Sequence, residues 1–185
     1  MSSEHFHRTL PRLAPEAYVG HKHAHLVPKI LDRRRVLINR PCVDPLIAEL
    51  EPALRAYGCE CVVYVFMPDH AHFILHGLTE TSNVLECHNH WKGVTARWLC
   101  ERFKYDHIWQ ERSYDHVFRS YEYERHALAK TLNYIVLNPV RAGLVETWQA
   151  YPYLGSMIGP HDIRHPYWWD WFDSGDKCGP DHERQ

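Results

Sequence analysis

Residues 59–77 read CECVVYVFMPDHAHFILHG. The first nine are β-branched, aromatic or apolar for the most part, the make-up of a buried strand. MPDH then turns the chain into HAHFILHG, so 59–67 and 70–76 are expected to pair as a hairpin. Side chains in a strand alternate with period two. His70, His72 and His76 therefore share one face, while Ala71, Phe73 and Leu75 point to the core. His70 and His72 stand roughly 6.5–7 Å apart along the backbone, which lets both rings converge on one divalent cation. Spacing alone is equally compatible with solvated histidines on an exposed strand, in a chain that holds 16 histidines.

Working outward, DPLIAELEPALRAYG (44–58) reads as a helix with Asp44 as N-cap, Pro45 at the first position and Gly58 as terminator. Pro52 should bend or break it. A strand is expected near 24–30, weakened by Pro28. Downstream, a long helix is predicted over about 83–103, with Val84, Trp91, Val94 and Trp98 on one stripe. IWQ (108–110) and YDHVFR (114–119) are short strand-like pieces. A third helix should run from about Glu122 to Asn138 and stop at Pro139. The order strand, helix, strand, strand, helix, strand, helix predicts an α+β fold: a ferredoxin-like antiparallel sheet with helices on one face plus one appended helix. We divide the chain into an N-terminal arm (1–17), one domain (18–158) and a tail (159–185) that carries Trp168, Trp169 and Trp171.

Composition bounds the rest. The chain has 185 residues, 45% hydrophobic and 24% charged, enough for a real core and too apolar for wholesale disorder. Its longest strongly apolar stretch, Cys61 to Met67, is far below the ~20 residues that span a bilayer. No secretory signal is visible at the start, and six cysteines are spaced irregularly. A cytoplasmic protein with reduced thiols and no membrane partner is expected. Net charge is −2 and the pI about 6.8, which excludes a protein that simply coats nucleic acid. Charge is nonetheless segregated. Residues 1–41 carry eight Lys or Arg against three Asp or Glu, and residues 90–145 carry nine against six. Local anion binding is therefore open. Its candidates are Arg33, Arg34, Arg35, Lys92, Arg97, Arg112, Arg119, Lys130 and Arg141, each of which also suits a solvated surface.

The third helix bears the second chemical feature. Leu128, Leu132, Ile135 and Val136 form one stripe, and at about 100° per residue Tyr134 points roughly 145° away from its centre. A tyrosine kept for packing would lie on the stripe. Asn138 and Lys130 sit four residues either side, on the tyrosine's face. A surface tyrosine contacting the tail is the simpler reading of Tyr134 taken alone. Taken with His70 and His72, it completes a phosphoryl-transfer site. Two imidazoles and an amide oxygen hold a metal against a phosphate, and a phenolate attacks to form a covalent intermediate.

Three motifs in order make a resemblance. YVFMPDHAHFILHG resembles the His-x-His strand of the single-tyrosine HUH transposases. IWQERSYDHVFR and LNYIVLNPVRAGLV resemble the other two signatures of their REP-associated tyrosine transposase branch, an insertion-sequence-200-like group. The likeness covers about residues 18–155. It implies that His70 and His72 are metal ligands, Tyr134 the nucleophile and Asn138 the third ligand. It further implies Mg²⁺ or Mn²⁺, a ferredoxin-like fold and a monomer or homodimer. The implied activity is cleavage and rejoining of single-stranded DNA beside a hairpin through a 5′-phosphotyrosine. Asp69 departs from the family's usual Asn, and the first strand lacks the family's usual look. Two other classes compete. One is a domesticated module that binds hairpin DNA without cutting. The other is an unrelated zinc protein using Cys59, Cys61, Cys87 and His90, whose spacings match no common zinc pattern.

Overall fold

The computed structural model describes residues 13–119, 126–159 and 162–173. Five strands lie in these residues: β1 (His23–Val27), β2 (Cys59–Met67), β3 (His70–Gly77), β4 (Tyr114–Val117) and β5 (Leu154–Gly155). They form one sheet in the order β4-β1-β3-β2-β5, with every neighbouring pair antiparallel. The first four strands have the ferredoxin-like order, which two interleaved β-α-β units produce. The short β5 is an addition to the expected sheet and pairs with Tyr64 and Val65.

The hairpin forms as its composition dictates, with Pro68 and Asp69 as the turn between β2 and β3. β1 ends at Val27, one residue before Pro28. The proline stops the strand without spoiling the sheet, because its carbonyl still accepts from Ala71 N at 3.0 Å. IWQ is not a strand. It contributes a single bridge, Ile30 to Trp109, and the Trp109 indole donates to Thr95 Oγ1 at 3.1 Å.

The first helical segment differs from expectation at both ends of its first half. Helix α1 (Arg40–Ala48) starts earlier, capped by Asn39, whose side chain accepts from Cys42 N at 3.1 Å. Asp44 is therefore not the N-cap, and Pro45 lies inside the helix rather than at its first position. Earlier entry lets Cys42 and Val43 bury along with Leu46. Helix α2 (Leu50–Ala56) follows after a break at Glu49. Pro52 explains the break: it has no N–H, and its ring clashes with the carbonyl four residues back, at Ala48. Helix α3 (Val84–Phe103) matches its predicted span, and the Asn83 side chain accepts from the amides of Leu85 and Glu86. Helix α4 (Ala127–Val136) is followed directly by the short α5 (Asn138–Arg141), and α6 is Pro166–Asp173. The earlier start expected for α4, near Glu122, lies outside the described residues, as do residues 1–12 of the arm and 174–185 of the tail.

The sheet separates two cores. Helices α1, α2 and α3 cover one face, where Trp91 packs on Phe73 with ring centroids 4.8 Å apart and donates to Leu46 O at 2.9 Å. Helices α4 and α6 cover the other, packing Leu132, Ile135 and Trp168 on Val63, Val65 and Ile74. β2 feeds both by alternation, with its parity shifted by a bulge between Cys61 and Val63. Cys61 faces the first core and Val63, Val65 and Met67 the second, an exchange of parity that one extra residue makes available. The described part of the tail docks on the second core. Trp168 is wholly buried there, and Arg164 Nη2 donates to the carbonyls of Tyr151 (2.8 Å) and Leu154 (2.6 Å). A buried indole of this kind is worth roughly 3–5 kcal/mol against alanine, so this segment is part of the fold.

Candidate active site

The face of the sheet that α4 leaves partly open carries the candidate chemistry. β3 presents His70 and His72, β1 presents His25 and Val27, and β4 presents Tyr114. Lys29 and Arg33 come from the chain after β1, and α4 supplies Lys130, Thr131 and Tyr134. Together they line a cleft of about 550 Å³. Helical periodicity places the tyrosine. Leu128, Leu132, Ile135 and Val136 are buried on the sheet, which leaves Tyr134 45% exposed at the rim. Its ring meets the His72 ring edge to face, with centroids 6.0 Å apart. The Arg141 guanidinium lies 4.9 Å above the centre of the Tyr134 ring.

Each histidine of the pair is held at Nδ1. His70 Nδ1 lies 2.6 Å from Asp69 Oδ1, and the second oxygen of Asp69 accepts from Arg33 Nε at 2.7 Å. His72 Nδ1 lies 3.0 Å from His25 Nε2 on the neighbouring strand. The two rings are 5.0 Å apart, nearly perpendicular. Among the described residues no group meets His72 Nε2, although that atom is buried. A buried imidazole nitrogen without a partner is costly unless something outside the chain meets it.

Burial also sets the charge of these rings. It holds the His72 imidazole down to about 2, reinforced by His25 and then His70. It holds His25 down to about 4, with His116 adding to the effect. His70 is also lowered by burial, against the opposing pull of Asp69. The rings are thus neutral near pH 7, the state in which imidazole ligates metal. Stability should depend on this. Between the ordinary value of 6.5 and the lowered folded values, the unfolded chain binds protons that the native protein refuses, so stability falls as pH drops through that window. From pH 7.5 to 5 the metal-free protein should lose on the order of 2 kcal/mol per deeply buried imidazole. Urea midpoints at the two pH values measure this, and equal midpoints would show that the rings are not buried neutral.

The donors fit a divalent cation in part. His72 Nε2 is a ring nitrogen with no partner, and the Asp69 contact at His70 Nδ1 leaves Nε2 as that ring's ligating atom. Asn138 is placed differently. Its Nδ2 donates to the Tyr134 carbonyl at 3.0 Å, alongside Arg141 Nη1 at 3.4 Å, and it does not line the cleft. The two histidines thus offer two nitrogen donors, and Asn138, whose Nδ2 is engaged at the end of α4, lies off the lining of the cleft.

Of the expected cations, Lys130 lines the cleft and Arg141 touches Tyr134. Lys92 and Arg97 stand on α3, on the other face of the sheet, where Lys92 Nζ donates to the carbonyls of Gln110 (2.8 Å) and Glu111 (3.3 Å). Arg112 and Arg119 flank β4 outside the cleft. Arg34 pairs with Asp32 and lies over Tyr105. The sequence reading missed His25 and Lys29, while Tyr114, an alternative nucleophile on sequence grounds, lines the cleft. His23-x-His25 repeats the spacing of His70-x-His72 and was the available signal for the first. His76, on the correct face, lies at the far end of β3, stacked on His23 at 4.0 Å and bonded to Glu60 at 2.9 Å. Asp115 accepts from the Tyr18 hydroxyl, and so serves the fold. Cys59, Cys61 and Cys87 are buried thiols, whereas His90 is exposed. No group of three or more His, Cys, Asp or Glu is arranged for a metal among the described residues.

A family model described as transposase, IS200-like, matches residues 18–138. The chain belongs to the IS200-like transposase family. Membership makes it a transposase-like, DNA-processing protein, and the matched span contains His70, His72, Tyr134 and Asn138. Among solved structures, a REP-associated tyrosine transposase bound to a REP hairpin superposes with a TM-score of 0.62 at 21% identity. The match covers 78% of this chain and 80% of that one, and establishes the shared fold. A chain assigned as a transposase, from Deinococcus radiodurans R1, matches at 22% identity and a TM-score of 0.46, over 68% of this chain and 95% of that one. No curated protein matches. In this IS200-like transposase no described helix is long and apolar enough to cross a membrane.

Proposed function

We propose that this chain is a single-tyrosine transposase of the REP-associated branch, which cuts and rejoins single-stranded DNA beside a hairpin. The observation that carries the reading is the meeting of an exposed Tyr134 with the His70–His72 pair across one cleft. The Tyr134 oxygen attacks the scissile phosphorus and gives up its proton to solvent. The bond from phosphorus to the 3′ oxygen breaks, leaving a free 3′-hydroxyl and a 5′-phosphotyrosine. Attack by a 3′-hydroxyl on that phosphotyrosine reverses the step and joins strands without a nucleotide cofactor. Mg²⁺ or Mn²⁺ held by His70 and His72 would neutralise the phosphate and polarise the leaving oxygen. Asn138 Oδ1 is the atom that would serve as a third donor, since the bond to the Tyr134 carbonyl uses Nδ2. Lys29, Arg33 and Lys130 provide the positive lining that a DNA strand requires. The hairpin as target is supported by the shared fold with a protein solved on a REP hairpin.

The chemistry requires an unpaired phosphodiester that can bend into the cleft, and three cations cannot grip a duplex regardless of form. Cutting is expected in single strands next to a hairpin, with affinity falling as salt rises. The test incubates the chain with labelled hairpin, single-stranded or blunt duplex DNA and Mn²⁺, and resolves covalent adducts on a denaturing gel. Equal cutting of the blunt duplex would count against the reading. One observation favours a second reading, a module that binds hairpins without cleavage: Asn138 does not line the cleft that holds the histidines. If no hairpin yields an adduct with the wild-type chain, that module replaces the transposase reading.

A further inference from the structure

We infer that Asp69, braced by Arg33, and His25 are positioning residues that fix His70 and His72 in the tautomer whose Nε2 carries the lone pair, so that the metal site rests on a carboxylate at one ligand and an imidazole at the other. The inference rests on the proposed function, in that it concerns the same two ligands. A neutral imidazole has one N–H and one lone pair, and its second contact decides which nitrogen carries which. At His70 the contact is decisive. An ionised carboxylate only accepts, so a ring nitrogen 2.6 Å from Asp69 Oδ1 must donate, and Nε2 keeps the lone pair. Arg33, 2.7 Å from the other oxygen, keeps that carboxylate aimed. The contact is no solvated surface pair: the His70 and Asp69 side chains are only 16% and 18% exposed. An amide in place of Asp69 has an oxygen and an NH₂ to offer, and so selects neither tautomer.

At His72 the orphaned atom decides the assignment. If Nδ1–H donates to His25 Nε2, the unmet and buried Nε2 is a lone pair. The reverse assignment would bury an N–H with no acceptor. The fold delivers both anchors without adjustment. Asp69 is the turn residue directly before His70, and His25 lies opposite Ile74 in the β1–β3 register, diagonal to His72.

The test titrates the full-length, metal-free chain with Mn²⁺ alone, without DNA, by calorimetry and by the electron spin resonance of free Mn²⁺. Nitrogen-15 histidine spectra of the same samples at pH 7 read the tautomers directly. Wild type should bind one Mn²⁺ with both ligands in the Nδ1–H form. Asp69→Ala should weaken binding by roughly 10–100-fold, and His25→Ala by a similar factor. Asp69→Asn, nearly isosteric and therefore least able to disturb the fold, should lie between wild type and Asp69→Ala. His25→Gln should recover part of the loss, because an amide oxygen can accept from His72 Nδ1–H. Wild-type affinity in Asp69→Asn and His25→Ala, with unchanged tautomers, overturns the inference and leaves the proposed function standing. Failure of wild type itself to bind Mn²⁺ overturns the metal reading and the inference with it.

Discussion

Replacing Tyr134 by Phe is expected to abolish cleavage and the covalent adduct while the protein folds as before. The hydroxyl is the only group removed. The ring keeps its edge contact with His72 and its place beneath Arg141, and the buried stripe of α4 is untouched. Stability should therefore change by no more than about 0.5 kcal/mol, as for most surface substitutions. Activity should fall to background, a drop of more than about 10³-fold, because no water is held in line to replace a positioned nucleophile. Thermal melting and a denaturing gel of labelled hairpin DNA measure the two effects side by side. An adduct that persists in the Phe variant would move the nucleophile elsewhere. Tyr114 is then the first alternative, since it lines the same cleft at 53% exposure. Tyr121 and Tyr123 lie outside the described residues.

The second large effect concerns the histidine pair. His70→Ala combined with His72→Ala should erase cleavage in Mn²⁺, while affinity for hairpin DNA persists, because the cations that line the cleft remain. The same double variant should lose less stability on acidification than wild type, since burial holds the His72 imidazole far from protonation. Asn138→Ala should reduce activity rather than erase it, for two imidazoles still hold the cation. Fluorescence anisotropy for binding and the adduct gel for cleavage keep the two functions apart. Cleavage undiminished in the double variant would remove the metal from the proposal.

Much of this protein is legible from short-range pattern. A nine-residue β-branched and aromatic run, a proline-containing turn and a second strand are enough for the β2–β3 hairpin, and period two puts His70 and His72 on one face. The 3.6-residue period of α4 likewise separates Tyr134 from Leu128, Leu132, Ile135 and Val136. These features need only neighbours in sequence, because strand alternation and helical pitch are properties of the local backbone.

The start of α1 was misread for a different reason. Asn39 and Asp44 are both acceptable caps, and Pro41 and Pro45 both suit a first turn. The choice fell to Asn39 because only the longer helix buries Cys42 and Val43. The bulge in β2 was equally hidden, since one extra residue leaves no mark in composition yet sends Cys61 and Val63 to different cores.

The cations show the same division. Lys92 and Lys29 look alike in a sequence, but α3 carries the first to the wrong side of the sheet, where backbone carbonyls occupy it. Lys29 and Arg33 reach the cleft because β1 is central and the chain beyond it runs along the β2–β3 turn. By itself, then, the sequence determined the hairpin, the helical face of Tyr134 and the pairing of two histidines one residue apart. The groups around them come from long-range packing: His25 on His72, Asp69 and Arg33 behind His70, and the Asn138 Nδ2 on the Tyr134 carbonyl. The reason is physical. Side-chain direction within an element follows from local geometry, whereas neighbours across elements depend on strand register and helix docking, which long-range burial selects.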